Sequence, residues 1–334
     1  MKRKALALLS GGLDSTLAVR VMLDQGISVE ALNFTSPFCT CTGRNTGCKS
    51  EAVRVAEESN IPIKVMNKGL EYLEIVRKPR HGYGKGMNPC IDCRIFLLKK
   101  AREYMTECGA DFVITGEVLG QRPMSQRRDT LRLIERESGL SGILLRPLSA
   151  KHFEPTIPET EGWVDRERLL AIQGRSRKEQ MRLAEEMDVK NYPCPAGGCL
   201  LTEVSFVSKV RDVFAHCQEL NIRDFRLLRL GRHFRITPGC KLIVGRDEAE
   251  NNLLEKHVQS GEATVRWLDG AGPLGILIGC VSDESLEVAG KIILRYTKAE
   301  KWREQPVKAV IDGNERFLRI ANAFDDRDIE DYRI

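Results

Sequence analysis

Ala5-Leu6-Ala7-Leu8-Leu9-Ser10-Gly11-Gly12-Leu13-Asp14-Ser15 is the stretch whose reading decides the fold. Five apolar residues without polar alternation predict a strand buried on both faces, the kind that parallel sheets contain. After the glycines, Leu13–Gln25 reads as a helix with Leu17, Val21 and Leu23 turned inward. Glycine lets the backbone turn tightly and approach an anion, while the first amides of a helix point toward it. Ser10 and Ser15 add hydroxyl donors, and Asp14 offers a carboxylate for Mg²⁺ against the phosphates. The apolar run is shorter than the roughly 7–15 residues of a signal-peptide core, so the basic start is not read as an export signal.

The same alternation continues outward. Strands are expected at Val29–Phe34, Ile63–Val65, Asp111–Thr115 and Ile143–Leu145, with helices at Ser50–Ser59, Arg94–Cys108 and near Ser176–Met187. That order predicts an α/β domain, a doubly wound parallel sheet, over residues 1–200. The Pro- and Gly-rich run Tyr192–Cys199 closes it. Residues 201–334 change pattern. A helix near Val204–Glu219, strands around His233–Ile236, Lys241–Val244, Thr264–Leu268 and Gly275–Gly279, and helices from Asp247 and over Leu286–Tyr296 predict a smaller α+β domain.

With 42% hydrophobic and 30% charged residues, the 334-residue chain has the balance of a globular protein of two domains. No apolar run approaches the roughly 20 residues of a membrane span, and a net charge of +5 does not by itself indicate nucleic acid. Eleven cysteines, odd in number and clustered, favour a reducing cytoplasm with metal or redox sites over a disulfide framework. A cytoplasmic protein with no membrane partner is therefore expected.

The string Ser10-Gly11-Gly12-Leu13-Asp14-Ser15 resembles the PP-loop of the ATP pyrophosphatase superfamily, adenine nucleotide α-hydrolase-like domains that cleave ATP to AMP and pyrophosphate. No Lys follows the glycines, which sets it apart from the kinase-type phosphate loop. After the fourth strand, Thr115-Gly116-Glu117-Val118-Leu119-Gly120-Gln121 with Ser125-Gln126, and later Leu145-Arg146-Pro147-Leu148, look like the matching segments of the tRNA 4-thiouridine synthetase family, akin to the tRNA 2-thiouridylases. The likeness covers most of residues 1–190. It implies that Ser10, Gly11, Gly12, Asp14, Ser15, Phe34, Gly116 and Gln121 hold ATP, and that Asp14, Glu117 and Cys199 serve the chemistry. The chain as given opens on the phosphate loop, without the RNA-binding domain that precedes it in the bacterial form, and carries no rhodanese-like domain. RNA and sulfur are thus expected to be captured by other means.

The cysteines suggest one. Cys90-Ile91-Asp92-Cys93 opens a helix at a spacing that lets two thiolates share one metal or cluster. Cys194 and Cys199 follow in backbone that can wrap an ion. The layout resembles the cluster-dependent tRNA thiolases and implies a 4Fe–4S cluster on Cys90, Cys93 and Cys199, with Cys194 as the alternative third ligand. A four-cysteine Zn²⁺ site and a cysteine persulfide are the alternatives. Cys39, Cys41 and Cys48 form another group near the expected nucleotide.

Arg223, Arg226, Arg229, Arg232 and Arg235 recur every third residue, with Phe225, His233 and Phe234 among them, a composition that suits phosphate contacts and base stacking. Arg232–Arg235 and Gly245–Asn251 look like the RNA-binding domain of ribosome-quality-control proteins. Arg122, Arg127 and Arg128, with Arg132 and Arg136, form a second basic stretch beside the expected active site. The expectation is an ATP- and Mg²⁺-dependent tRNA sulfurtransferase that adenylates a uridine carbonyl and replaces its oxygen with sulfur. Its partners are tRNA and a sulfide or persulfide donor, with a homodimer left open. The competing readings are a PP-loop amide ligase using free ammonia, and an RNA-binding metalloprotein that senses nucleotide without turnover.

Overall fold

The computed structural model describes residues 3–39, 48–190, 192, 198–300 and 302–334, with residues 48–50 described by their backbone. The chain divides into two compact units, Met1–Thr202 and Glu203–Ile334.

In the first unit, β1 (Lys4–Leu8), β2 (Ser28–Thr35), β3 (Ile63–Asn67), β4 (Phe112–Thr115) and β5 (Leu144–Leu145) form one sheet in the order β3-β2-β1-β4-β5. Every pairing is parallel. The helices are α1 (Leu13–Asp24), α2 (Cys48–Glu58), α3 (Gly69–Arg77), α4 (Cys90–Cys108), α5 (Arg128–Ser138), α6 (Ile157–Thr160) and α7 (Lys178–Glu186). Two apolar layers show that both sheet faces are covered. One gathers Ala5, Ala7, Leu17, Met22, Val55 and Ile114 with α1 and α2; the other gathers Leu6, Leu32, Leu98, Val113 and Ile134 with α4 and α5. Each fully buried Leu or Val contributes about 1.5–3 kcal/mol. Strand order reverses between β1 and β4, so a crevice opens at their carboxyl ends, the place where such sheets bind ligands.

The second unit carries α8 (Val204–His216), α9 (Ile222–Leu227), α10 (Glu248–Glu255), α11 (Asp283–Arg295) and α12 (Asp326–Glu330). Its sheet holds β6 (Arg232–Thr237), β7 (Cys240–Val244), β8 (Ala263–Trp267), β9 (Gly275–Gly279), β10 (Gln305–Ile311) and β11 (Asn314–Ile320), in the order β11-β10-β8-β9-β7-β6. All its neighbouring pairs are antiparallel. α11 packs along one face through Leu286, Ala289, Ile292 and Ile293. Leu227 of α9 and Leu254 of α10 cover the other face over Ile243 and Ile276. The β10–β11 hairpin lies beyond the elements expected from apolar runs, because its outward residues are mostly charged or polar.

Candidate active site

The phosphate loop sits where the strand order reverses. Gly11 adopts φ +77°, and a Cβ there would lie 2.6 Å from Glu51 Cβ and 2.7 Å from the Ala52 nitrogen at the start of α2, so only glycine fits. Ser10 Oγ and Ser15 Oγ are 3.1 Å apart, and Ser15 Oγ donates to the Gly12 carbonyl at 2.9 Å. The two hydroxyls thereby fix the loop at the entry to α1. Beneath it, Asn33 of β2 donates to the Leu9 carbonyl at 2.8 Å. The loop after β4 closes on the phosphate loop: a Cβ on Gly116 would fall 2.5 Å from the Asp14 carbonyl and the Ser15 nitrogen. Gly116 therefore permits contact between the two segments read separately in the sequence.

Asp14 is the charged centre. Its Oδ2 accepts from Gln121 Nε2 at 3.2 Å and from Arg177 Nη2 at 3.0 Å. Its Oδ1 is buried and accepts no hydrogen bond. A buried carboxylate oxygen without a donor is a ligand type that fits a hard divalent cation.

Glu117, 2% exposed, is hydrogen-bonded through one carboxylate oxygen and faces a guanidinium with the other. Its Oε2 accepts from Arg146 Nε and Thr115 Oγ1, each at 3.2 Å. Its Oε1 has no hydrogen bond, and Arg94 Nε stands 3.6 Å away. Arg146 is itself buried and also bonds Glu135 at 2.9 Å, which makes the Glu117 side of the rim a fixed wall. Phe34 lies half-buried near the carboxyl end of β2, packed against the layer under α4.

Arg94, Arg122 and Arg177 bring three cations to this crevice. Desolvation of the Arg122 guanidinium, with repulsion from Arg94 and Arg177, pushes its pKa down, while Cys90 and Asp14 oppose the shift. Arg122 is thus electrostatically close to both the phosphate loop and the first cysteine of α4. Such an excess of positive charge is matched by a polyanion.

The thiols gather at the start of α4. Cys93 lies 3.3 Å from Lys68 Nζ, and that ammonium stands 4.2 Å over the Tyr72 ring. Burial disfavours the Cys93 thiolate, but Lys68 and a hydrogen bond from Tyr72 outweigh it and lower the pKa. Burial pushes Cys199 up to about 12, with Cys93 and Cys39 adding to the rise. Burial and Cys93 also raise Cys90, against Arg94 and Arg122. Cys39 and Cys199 face each other in an isolated antiparallel bridge, tied by the Leu200 N–H to the Phe38 carbonyl at 2.9 Å. The structure therefore brings Cys39, Cys93 and Cys199 into one neighbourhood. Among the described residues no three His, Cys, Asp or Glu side chains are placed to hold a metal ion. Cys41 and Cys194 lie outside the described residues, as does the side chain of Cys48.

Sequence reasoning missed Arg94, Arg177, Lys68 and Tyr72. Arg94 directly follows Cys93 and Arg177 precedes α7, so both were within reach of a charge-pattern reading. Lys68 and Tyr72 gain meaning only from tertiary contact with Cys93.

The basic residues part ways. Arg127 and Arg128 flank the start of α5; Arg127 is exposed and lies 3.6 Å from Asp129, and Arg128 stands over Phe153. In the second unit, Arg235 gives Nε and Nη2 to Asp212 at 2.9 and 2.7 Å, and Lys241 adds a third bond at 3.0 Å. Arg223 forms a two-pronged pair with Glu262, and Arg246 another with Glu250. Arg232 stacks over Tyr296 at 4.5 Å. Just beyond α9, Lys209 and Arg246 donate to the carbonyls of Leu228 and Arg229, and the ring of His233, kept neutral by burial, meets that of Leu230.

A glycine-bent loop between a buried strand and a helix, at the reversal point of a parallel sheet, is the arrangement that suits phosphate binding. Residues 1–155 match the family model described as Thiamine biosynthesis protein (ThiI), and residues 231–333 match that of the NFACT protein RNA binding domain. The chain is 26% identical over 245 residues to the tRNA-specific 2-thiouridylase MnmA of Rippkaea orientalis, covering 69% of this chain and 64% of that protein. It is 31% identical over 146 residues to a probable tRNA sulfurtransferase of Lysinibacillus sphaericus, covering 43% of this chain and 34% of the relative. A solved 4-thiouridine synthetase–RNA complex with bound ATP matches 68% of this chain and 52% of its own at 24% identity and a TM-score of 0.38. The chain thus spans less than two thirds of these proteins. Over its first half the chain is similar to the tRNA 2-thiouridylases and tRNA sulfurtransferases. No helix among the described residues is long and apolar enough to cross a membrane.

Proposed function

We propose that this chain is an ATP-dependent tRNA sulfurtransferase that makes thiouridine. The observation that carries this reading is that Arg94, next to Cys93 in α4, lies 3.6 Å from Glu117 of the rim, while Gln121 of the same rim bonds Asp14 of the phosphate loop at 3.2 Å, which supports activation and sulfur delivery in one crevice.

The amides of Gly11–Ser15 and the hydroxyls of Ser10 and Ser15 would cradle the β- and γ-phosphates. Asp14 Oδ1 would hold Mg²⁺, which supplies charge neutralisation at those phosphates when bound. A flipped uridine enters the rim, between Gln121 and the wall formed by Glu117 and Arg146. Its carbonyl oxygen attacks the α-phosphorus, the bond to the β-phosphate oxygen breaks, and pyrophosphate leaves with its charge met by Arg94, Arg122 and Arg177. A sulfur nucleophile then attacks the activated ring carbon, the carbon–oxygen bond breaks, and AMP departs. Lys68 and Tyr72 stand against Cys93 and favour its thiolate, which suits it to carry sulfur.

How sulfur is held is the finer part of this reading. The described thiols do not form a three-ligand site, so no step here is routed through a cluster. A persulfide carrier would pass its outer sulfur to Cys93, and that sulfur would attack the ring carbon. A second thiol would break the new S–S bond, releasing thiouridine and leaving a disulfide that an external thiol reopens. The 4Fe–4S alternative on Cys90, Cys93 and Cys199 or Cys194 is tested by anaerobic purification with iron and sulfide counts. RNA-dependent release of pyrophosphate from ATP tests the whole proposal. Release without RNA, driven by a small acid and ammonia, would replace it with the amide-ligase reading.

A further inference from the structure

The second unit keeps one sheet surface open. Strand register sets its rows. Arg266 of β8 lies opposite Lys308 of β10, which lies opposite Phe317 of β11; one step along, Pro306 lies opposite Arg319. Residues directly opposite in an antiparallel sheet point to the same face. Leu268 bonds the Pro306 carbonyl from its backbone N–H and continues that second row. The partner face is buried under α11, as Val265, Val307, Ala309 and Ile320 show. On the open side, α9 and α10 cover β7 and β9. The part over β8, β10 and β11 exposes Leu268 at 45% and Phe317 at 67%, and Trp302 just before β10 at 75%.

This face is not charge-neutral filler. Arg266 and Lys308 are like charges placed directly across from one another, an arrangement that costs stability in a sheet. Glu255 and Glu315 offset them from the margins. Arg319 is exposed and makes no ion pair or side-chain hydrogen bond among the described residues. An aromatic ring on a strand, flanked by cations on its own face, matches what a single-stranded nucleic acid requires: a π surface for a base and charge for the phosphates on either side. By contrast Arg235 of β6 and Arg223 of α9 are spent on Asp212 and Glu262.

We propose that the open face of β8, β10 and β11 binds single-stranded RNA, with Phe317 stacking on a base and Arg266, Lys308 and Arg319 meeting the adjoining phosphates. This rests on the reading that the chain acts on RNA, and it names the surface that grips the strand. Recognition is sequence-tolerant, since every base has a face to stack.

The test is fluorescence anisotropy of the full chain with a labelled, unstructured oligouridylate, comparing wild type with Phe317→Ala, Phe317→Trp and Arg319→Gln. All three sites are at the surface, and circular dichroism checks that each variant is folded. Phe317→Ala is expected to weaken binding about ten-fold or more, with Phe317→Trp preserving it. Arg319→Gln is expected to lower the salt slope by about one. Unchanged affinity in folded Phe317→Ala overturns the proposal, as does sedimentation showing that Phe317→Ala splits a dimer, which would make the face a contact between copies. If wild type binds no oligouridylate yet forms thiouridine, this surface is refuted and the proposed function stands. If it neither binds nor modifies RNA, both fall.

Discussion

The crevice at β1 and β4 and the arginine-rich end of the second unit look alike in sequence and differ in how their charges are settled. In the crevice, Asp14 Oδ1 and Glu117 Oε1 are left without hydrogen bonds, and three guanidiniums crowd together. Around β6, Arg235, Lys241 and Asp212 close on each other, Arg223 takes Glu262, and Arg246 takes Glu250. A buried polar group without a partner costs roughly 1–3 kcal/mol. The first region keeps that cost on its carboxylates, whereas around β6 the carboxylates are paired and only Nδ1 of the buried His233, among the described residues there, is left without a partner. Basic residues that share a pattern thus divide into those that await a ligand and those that hold the fold.

Four substitutions can break or sharpen that contrast. Asp14→Asn removes the carboxylate at the centre of the crevice and is expected to cut RNA-dependent pyrophosphate release by about two to three orders of magnitude, with the melting temperature nearly unchanged. Gly116→Ala pushes a methyl group into the backbone of Asp14 and Ser15. Loss of activity of about 100-fold is expected, with a stability cost of about 1–3 kcal/mol seen in urea unfolding. Arg235→Gln strips the buried Asp212 of its main partner and is expected to cost about 3 kcal/mol in unfolding, while phosphate-loop chemistry in the first unit persists. If Arg235→Gln instead abolished RNA affinity without destabilising the chain, the contrast would fail.

The smallest effect concerns pH. Burial, with Arg246 and Lys241 nearby, lowers the pKa of Lys209 from 10.5 to about 8. Between those values the unfolded chain binds more protons than the folded one, so this group makes stability rise with pH. Lys209→Met is expected to raise the melting temperature by about 2–4 °C at pH 7, a gain that fades as pH climbs through that window. Asp212 acts in the opposite range. Burial alone would raise its pKa, but Arg235 and Lys241 lower it, so its contribution is present above the unfolded carboxylate value and is lost as pH falls through the folded one.

Strand β1, the loop at Ser10–Ser15 and the rim string after β4 were legible because each combines a local backbone demand with a local chemical one. The β10–β11 hairpin carried a signal too, Asp312-Gly313 between alternating runs, and both residues take the positive φ of a tight turn. Apolar-run reading passes over it because Lys308, Arg316 and Arg319 break the runs. Cys39 was grouped by sequence with Cys41 and Cys48, whereas its backbone pairs with Cys199, far along the chain. The partners of Arg223 and Arg235 are likewise distant in sequence, and no local pattern distinguishes a spent arginine from an open one.

The most direct measurement is nucleoside mass spectrometry of tRNA digested after incubation with the chain, ATP, Mg²⁺, a persulfide donor and a thiol reductant under anaerobic conditions. The account predicts thiouridine with wild type, none with Asp14→Asn, and none with Cys93→Ala even though that variant still releases pyrophosphate. Thiouridine formed at the wild-type rate by Cys93→Ala, or RNA-dependent pyrophosphate release by wild type with no sulfur entering the tRNA, would contradict it.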